Sequence, residues 1–333
     1  MWGLPVKRHI LLLHDSVASD APPDELDTLV QVSQIGQALE RLGHTVQARP
    51  FAGDLVDLAA FLSGSGFDLV FNLVETFHGS RFLHTIPLLC DRLGFNFTGG
   101  NANSLYLTGD KLLAKRLLRL AAIPTPDWID GNDPSLWSSF IGERLIVKPK
   151  DEEASVGIVD DSVFICRTVG ELIERREDAH MHHMMVERFI EGREFNISML
   201  SDHGKPRILP IAEMEFIDYP VGKPKIVGYE AKWIEESFAY GHTIRSFASC
   251  QNSPELDHKL RDIARSCWHL FDCSGYARVD LRVDSEGDPY VLEVNMNPCI
   301  AQDSGFIAAC AQEGLSYGQV LEHIVGETMH GNS

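Results

Sequence analysis

Arg278-Val-Asp-Leu-Arg-Val-Asp-Ser-Glu-Gly-Asp-Pro-Tyr-Val-Leu-Glu-Val-Asn295 reads as the two arms of a β-hairpin joined by a turn. Val279, Leu281 and Val283 alternate with Arg278, Asp280 and Arg282, and Leu292 and Val294 alternate with Glu293 and Asn295. That is the period of strands with one buried face. Asp284 to Pro289 supplies turn-forming residues. Pairing symmetric about Glu286 and Gly287 sets Asp280 opposite Glu293 and Arg278 opposite Asn295. Directly opposed Cβ atoms lie about 5 Å apart, and like charges there are destabilising. At an effective dielectric of about 20 the repulsion is roughly 3 kcal/mol, which a bound cation or a proton would relieve. Two carboxylates with an asparagine carbonyl form an all-oxygen set suited to Mg²⁺ that keeps waters and holds substrate phosphates. For this pair alone an acidic solvated face is the commoner arrangement, so the assignment needs the rest of the chain.

The 333 residues predict two domains or three, since one core does not grow to that length. A formal net charge of −19 with no basic tract argues against nucleic acid as a partner. It leaves nucleotide binding open, because a few placed lysines and Mg²⁺ suffice. No apolar run has the length of a membrane helix, and Ile10 to Leu13 is too short for a signal peptide. Seven cysteines, odd in number and without CxxC spacing, predict reduced thiols and a cytoplasmic location.

The first 100 residues alternate strands and helices. The pattern predicts strands at His9 to Leu13, Val46 to Ala48 and Asp68 to Asn72, with helices at Thr28 to Arg41 and Leu83 to Leu93. This implies a parallel sheet with helices on both faces. Ligands in such sheets sit beyond the strand C-termini, which singles out Asp15-Ser16 and the segment from Asn72 to Gly79. No GxGxxG follows the first strand, so dinucleotide binding is disfavoured. A helix from Gly109 to Ala122 precedes Pro124 and Pro126, and strands and helices then mix irregularly, as in α+β folds. Phe216 to Arg245 reads as a long irregular segment, the mark of a lid. Helices are expected from Pro254 to Phe271 and Tyr317 to Glu327.

Taken in order, several short elements carry a resemblance: Lys111 in Gly-Asp-Lys, Lys148-Pro149, Ser155-Val-Gly157, Glu187 to Glu194, Lys232 in Tyr-Glu-Ala-Lys-Trp, Arg278-x-Asp280 and Glu293-x-Asn295. With Phe71-Asn72, His78-Gly79, Thr98-Gly99 and Ser304 through Tyr317, the chain resembles the ATP-grasp superfamily, most closely the D-alanine–D-alanine ligases. The resemblance covers nearly everything after residue 65. It implies an α/β and α+β protein: a parallel, Rossmann-like pre-ATP-grasp domain over 1–100, a central ATP-grasp subdomain over 101–195, and a C-terminal one over 196–333 with the metal site and lid.

The same resemblance implies the site. Lys111 and Lys148 would touch the phosphates of ATP, Glu187 with the backbone of Phe189 and Ile190 the adenine, and Glu194 the ribose. Asp280, Glu293 and Asn295 would hold two Mg²⁺ ions, Mn²⁺ being a possible substitute. Arg278 would stabilise the oxyanion formed when an amine attacks an acyl phosphate, and Lys232 with the Ser155 loop would close over the reaction. Ser304 and Gly305 would meet the acceptor carboxylate and His78 the substrate side, in a homodimer acting on small amino acids or a related acid and amine.

The chain departs from the family at both substrate pockets. The family's Gly-Gly-x-Ser-x-Glu element, whose acid binds the first D-alanine's amino group, is absent after the first strand, where Leu13-His-Asp-Ser-Val-Ala18 stands. Glu25 or Asp27 could take that role, as could neither, acids being favoured at helix N-termini in any case. Cys299 stands in place of a glycine and reads as a small apolar filler, and Gly305 in place of a leucine. His180, His182 and His183 read as solvated. A different acid and amine pair, a biotin-type carboxylation, or a nucleotide-binding protein that has lost catalysis are the competing readings.

Overall fold

The computed structural model describes residues 6–129, 134–177, 184–248 and 252–330, so the histidine cluster 180–183 lies outside the described residues. Strand β1 (His9–Asp15) is buried nearly throughout. Only a strand covered on both faces tolerates such a run, and β1 accordingly lies inside a parallel sheet. Helix α1 (Pro23–Arg41) follows, then β2 (Thr45–Phe51), α2 (Leu55–Ser63), β3 (Leu69–Leu73), α3 (Thr85–Leu93) and the short β4 (Asn96–Phe97), in sheet order β2-β1-β3-β4. Helix α1 starts earlier than the predicted Thr28 because Pro23 suits a first helical turn and Asp24 and Glu25 complement its dipole.

The single helix expected from Gly109 to Ala122 is two, α4 (Ala102–Thr108) and α5 (Lys111–Leu120). Asp110 ends the first run by capping the second, its carboxylate accepting from Leu112 and Leu113 N–H. A three-stranded antiparallel sheet comes next: β5 (Arg144–Pro149) is central, flanked by β6 (Val163–Ile165) and, beyond α6 (Val169–Glu177), by β7 (Met184–Arg188).

The third sheet begins with β8 (Arg193–Asp202), β9 (Lys205–Ile208) and β10 (Ala212–Phe216). The segment predicted as an irregular lid instead holds α7 (Tyr229–Trp233), α8 (Phe238–His242) and β11 (Thr243–Ser246), the last paired to β10. Helix α9 (Pro254–Leu270) covers the sheet, β12 (Tyr276–Val283) and β13 (Pro289–Asn295) form the hairpin, and α10 (Gly305–Gln312) and α11 (Tyr317–His330) end the chain. The strand order is β11-β10-β8-β12-β13, with β9 on β8. Trp268 of α9 and Phe271 just after it pack with Phe195, Ile197, Val279 and Leu281 in one core, burying the apolar face that the hairpin alternation requires.

The hairpin register is the expected one from Arg278↔Asn295 to Asp280↔Glu293, after which a bulge shifts it to Leu281↔Val291. Leu292 is the extra residue. A bulge re-aims side chains, and Leu292 faces the cavity beside Glu293 instead of alternating away from it.

Gly192 turns the chain from β7 into β8 at φ 141, and a Cβ there would lie 2.0 Å from the Val283 carbonyl oxygen. Neither the conformation nor the space admits a side chain. Gly192→Ala should therefore lower the unfolding free energy by about 2 kcal/mol or more, measured by urea denaturation; an unchanged midpoint would refute the close approach.

Candidate functional site

Loops and strand ends from all three sheets line one cavity of about 910 Å³. At one end β5 and β7 run antiparallel, which sets Lys148 of β5 near Glu187 of β7. The Lys148 Nζ lies 2.7 Å from Glu187 Oε1, and Lys115 of α5 lies 2.6 Å from Oε2. Burial would raise the Glu187 carboxyl, but the two ammonium groups outweigh it and hold it ionised below its ordinary range. Lys115 is buried, donates to Thr125, and is pushed down to about 8 by burial against the pull of Glu187. Phe189, Ile190, Ile146, Ile226 and Leu292 give this end apolar walls. Glu194, at the start of β8, is 3.2 Å from the Arg282 guanidinium of β12. Arg282 also donates to the Gly192 and Lys225 carbonyls, tying the crossover to the lid segment.

In the middle, Asp280 and Glu293 oppose each other as the hairpin register demands, with Asn295 two residues along. Arg278 donates to both Asp280 oxygens at 2.8 and 2.9 Å, and Asn196 of β8 adds a bond of 2.7 Å. Lys111 lies 3.3 Å from Glu293 and also donates to the Glu152 carbonyl. Burial would raise Glu293, yet Lys111, Lys148, Arg278 and Lys232 together keep it well below the carboxylate range. Glu153, facing the same acids, is instead driven up to about 7, by burial first. The like-charge opposition is thus met by surrounding cations and a readily protonated neighbour. Hard oxygen donors held on two adjacent strands are the kind Mg²⁺ takes.

The lid segment is docked over this centre. Ser155 donates to the Val227 carbonyl at 2.6 Å, Tyr229 N–H to the Ile158 carbonyl at 2.9 Å, and the Trp233 indole to the Ala154 carbonyl at 2.9 Å. Ala154 and Ser155 both take positive φ, so the loop turns tightly enough to present these carbonyls. Lys232 of α7 lines the cavity, its ammonium lowered by burial and by Arg278.

At the far end, Ser304 caps α10 by accepting from Ile307 N–H and lines the cavity with Gly305. A Cβ on Gly305 would stand in ordinary contact, 3.5 Å, with the Arg245 guanidinium of β11. The N-terminal wall contributes Asp15, Asp24, Glu25, Asp27 and Glu75. Cys299 contacts Asp27 at 3.5 Å, and burial raises its thiol, which disfavours the thiolate that a nucleophile needs.

The structure brings together Lys148, Ser155, Glu187, Phe189, Ile190, Glu194, Lys232, Arg278, Asp280, Glu293, Asn295, Ser304 and Gly305 along one wall or another. Lys111 stands behind Glu293 rather than on the lining. His78 is a correction: it is exposed, sits in the left-handed region at φ 55, packs on Phe77 and Phe82, and does not line the cavity. Glu75, three residues earlier at the end of β3, faces the cavity in its place. The sequence reading missed Lys115, Arg245, Arg282 and Glu153; for Glu75 the strand-end rule was the available signal.

A family model described as D-ala D-ala ligase C-terminus matches residues 138–326. An uncharacterized protein, y4sG, of Sinorhizobium fredii is 28% identical over 299 residues, 86% of this chain and 84% of that one. A D-alanine–D-alanine ligase of a Synechococcus strain is 29% identical over 301 residues, covering 88% and 86%. Among solved structures, the D-alanine–D-alanine ligase from Bacillus anthracis complexed with ATP superposes with a TM-score of 0.72 at 23% identity, over 97% of each chain. The VanG D-Ala:D-Ser ligase from Enterococcus faecalis gives 0.71 at 19% identity, over 97% and 100%. Likeness at these identities establishes the ATP-grasp fold.

Glu75 is raised from 4.5 to about 8, chiefly by burial and then by Asp15, Asp27 and Glu153, against the hydrogen bond from Gln31. A carboxyl raised in the folded state keeps a proton that the unfolded chain has released, so its stabilising share is complete below pH 4.5 and is lost as pH climbs through about 8. The ligand-free melting temperature should fall across that window, and Glu75→Gln should flatten the fall. An identical slope in the variant would show that Glu75 titrates normally.

Proposed function

The chain belongs to the D-ala D-ala ligase family, and from that premise we propose an ATP-dependent carboxylate–amine ligase that joins two small amino acids through an acyl phosphate. The single observation that carries this reading is the opposition of Asp280 and Glu293, with Asn295 beside them, in a cavity that also holds Lys148, Lys232 and Arg278.

In this reading Lys148 contacts the phosphates of ATP and Lys111 supports them from behind Glu293, while Glu187 and the backbone of Phe189 and Ile190 read the adenine and Glu194 the ribose. Lys115 and Arg282 act as positioning residues, fixing Glu187 and Glu194 through the ion pairs already described. Asp280, Glu293 and Asn295 would hold two Mg²⁺ ions, or Mn²⁺, whose charge when bound would offset that of the phosphates. The donor carboxylate oxygen bonds to the γ-phosphorus as the bond to ADP breaks. The acceptor amine then attacks the acyl carbon, phosphate departs with the electrons of the C–O bond, and the amine gives up a proton. Arg278 stabilises the oxyanion between these two events. Lys232 and the Ser155 loop exclude water from the acyl phosphate, and Ser304, Gly305 and the start of α10 receive the acceptor carboxylate.

We place the pre-ATP-grasp domain at 1–100 and the two ATP-grasp subdomains at 101–195 and 196–333, in a homodimeric, cytoplasmic enzyme. Among the described residues no helix is long and apolar enough to cross a membrane, and six described cysteines are free.

Phosphate release should appear when the protein is mixed with ATP, Mg²⁺ and a panel of D- and L-amino acids, and should depend on which acids are present. Glu293→Gln should lower turnover by about a hundredfold or more, with ATP binding weakened through the lost metal ligand. Undiminished turnover in that variant would remove the metal role, and silence across the whole panel would remove the amino-acid ligase assignment.

A further inference from the structure

We propose that Arg245 is a specificity-determining residue at the acceptor end of the cavity: its guanidinium receives a carboxylate of the acceptor, so an amine without one is a poor substrate. This assignment rests on the ligase reading and fixes the class of its acceptor.

The backbone of the third sheet sets where this arginine stands. Register puts Arg245 of β11 across from Met214 of β10, Met214 across from Glu194 of β8, and Glu194 across from Arg282 of β12. Directly opposed residues share a face of the sheet, and all four line the cavity. Arg245 ends the row, on the edge strand. Two strand spacings of about 4.8 Å part its backbone from that of Glu194, and Glu194 already holds Arg282. The head of the side chain is placed as well. Its Nη2, Nε and Cζ lie 3.5, 3.6 and 3.7 Å from where a Cβ on Gly305 would stand, so the guanidinium rests beside the first residue of α10.

What the head lacks is a partner. Lys148, Arg278 and Arg282 each hold a carboxylate. Among the described residues Arg245 makes neither an ion pair nor a hydrogen bond. Arg278 repels it more than Asp303 attracts it, and Arg278 has already committed its Nε and Nη2 to Asp280. Arg245 is open to solvent within the cavity, so a ligand can reach it. A free guanidinium offers paired N–H donors in a planar fork that fits a carboxylate. In the ligase reading the phosphates lie at the Lys148 end, whereas Ser304 and Gly305 bound the acceptor. The anion presented to Arg245 is therefore the acceptor's own, either its α-carboxylate or an acidic side chain.

The test holds ATP, Mg²⁺ and the best donor of the amino-acid panel at saturation and varies the acceptor in two pairs, alanine against alaninamide and aspartate against asparagine, in both hands. Mixed dipeptide is measured by mass spectrometry beside phosphate release. The wild type should favour the acid of at least one pair by about tenfold or more in kcat/KM. A preference in the first pair marks the α-carboxylate as the bound group, and one in the second marks the side chain. Arg245→Gln should bring that ratio toward one by raising the acceptor KM more than it lowers kcat, with the KM for ATP as in the wild type, which general loss of folding would not leave intact. Arg245→Lys, which keeps the charge, should keep part of the preference. A merely solvated arginine gives the wild-type ratio in both variants. That result, or no preference for the acid in either pair, overturns the assignment and leaves the ligase reading standing. No release with any amino acid overturns both.

Discussion

The like-charge opposition of Asp280 and Glu293 organises the molecule around it. Two carboxylates forced together on adjacent strands cost roughly 3 kcal/mol at a dielectric of about 20, and the surrounding elements each supply a part of the relief. Arg278 grips Asp280 from the same strand, Asn196 reaches it from β8, and α5 delivers Lys111 to Glu293. The loop after β5 adds Glu153, which burial first and then these same acids push up to about 7. Removing a cation here would leave a buried charge uncompensated, which is costlier than the pair was favourable.

Ion pairs and hydrogen bonds also fix two other parts of the cavity lining. Glu187 is neutralised by Lys115 and Lys148, and Glu194 by Arg282, so both acids sit in an otherwise apolar recess with their geometry set by ion pairs. Arg282 binds the Gly192 and Lys225 carbonyls as well, joining the crossover to the segment that covers the site. The contacts between that segment and the Ser155 loop are mainly hydrogen bonds at an edge, and few of its apolar side chains are buried: Val221, Phe238, Tyr240 and Ile244 are exposed. Such an element has few buried apolar contacts to lose on local opening.

Local pattern decided a great deal. The alternation of residues 278 to 295 defined the hairpin and its register as far as Asp280, because strand period and turn chemistry act over a few residues. Lys148, the Glu187 to Glu194 crossover and Lys232 were singled out by the family resemblance; the local pattern of each is by itself that of ordinary surface charges. The parallel N-terminal sheet followed from its alternating elements, and the strand-end rule marked Asp15 and the segment holding Glu75. Two short helices and an edge strand within 216–245 were not legible, since runs of five residues have too little periodicity to distinguish them from a loop.

What the sequence by itself determined was a local set of groups: two opposed carboxylates, an asparagine and an arginine on one hairpin face. Tertiary structure alone decided which distant residues complete it. Lys115 and Arg245 reach the site from elements far from the hairpin in the chain, and Glu75 displaced His78 because the turn after β3 throws the histidine outward into the left-handed region. The bulge at Leu292 likewise depends on β12 pairing with both β8 and β13. Burial and Coulomb energy depend on distances through space, and those are not set by spacing along the chain.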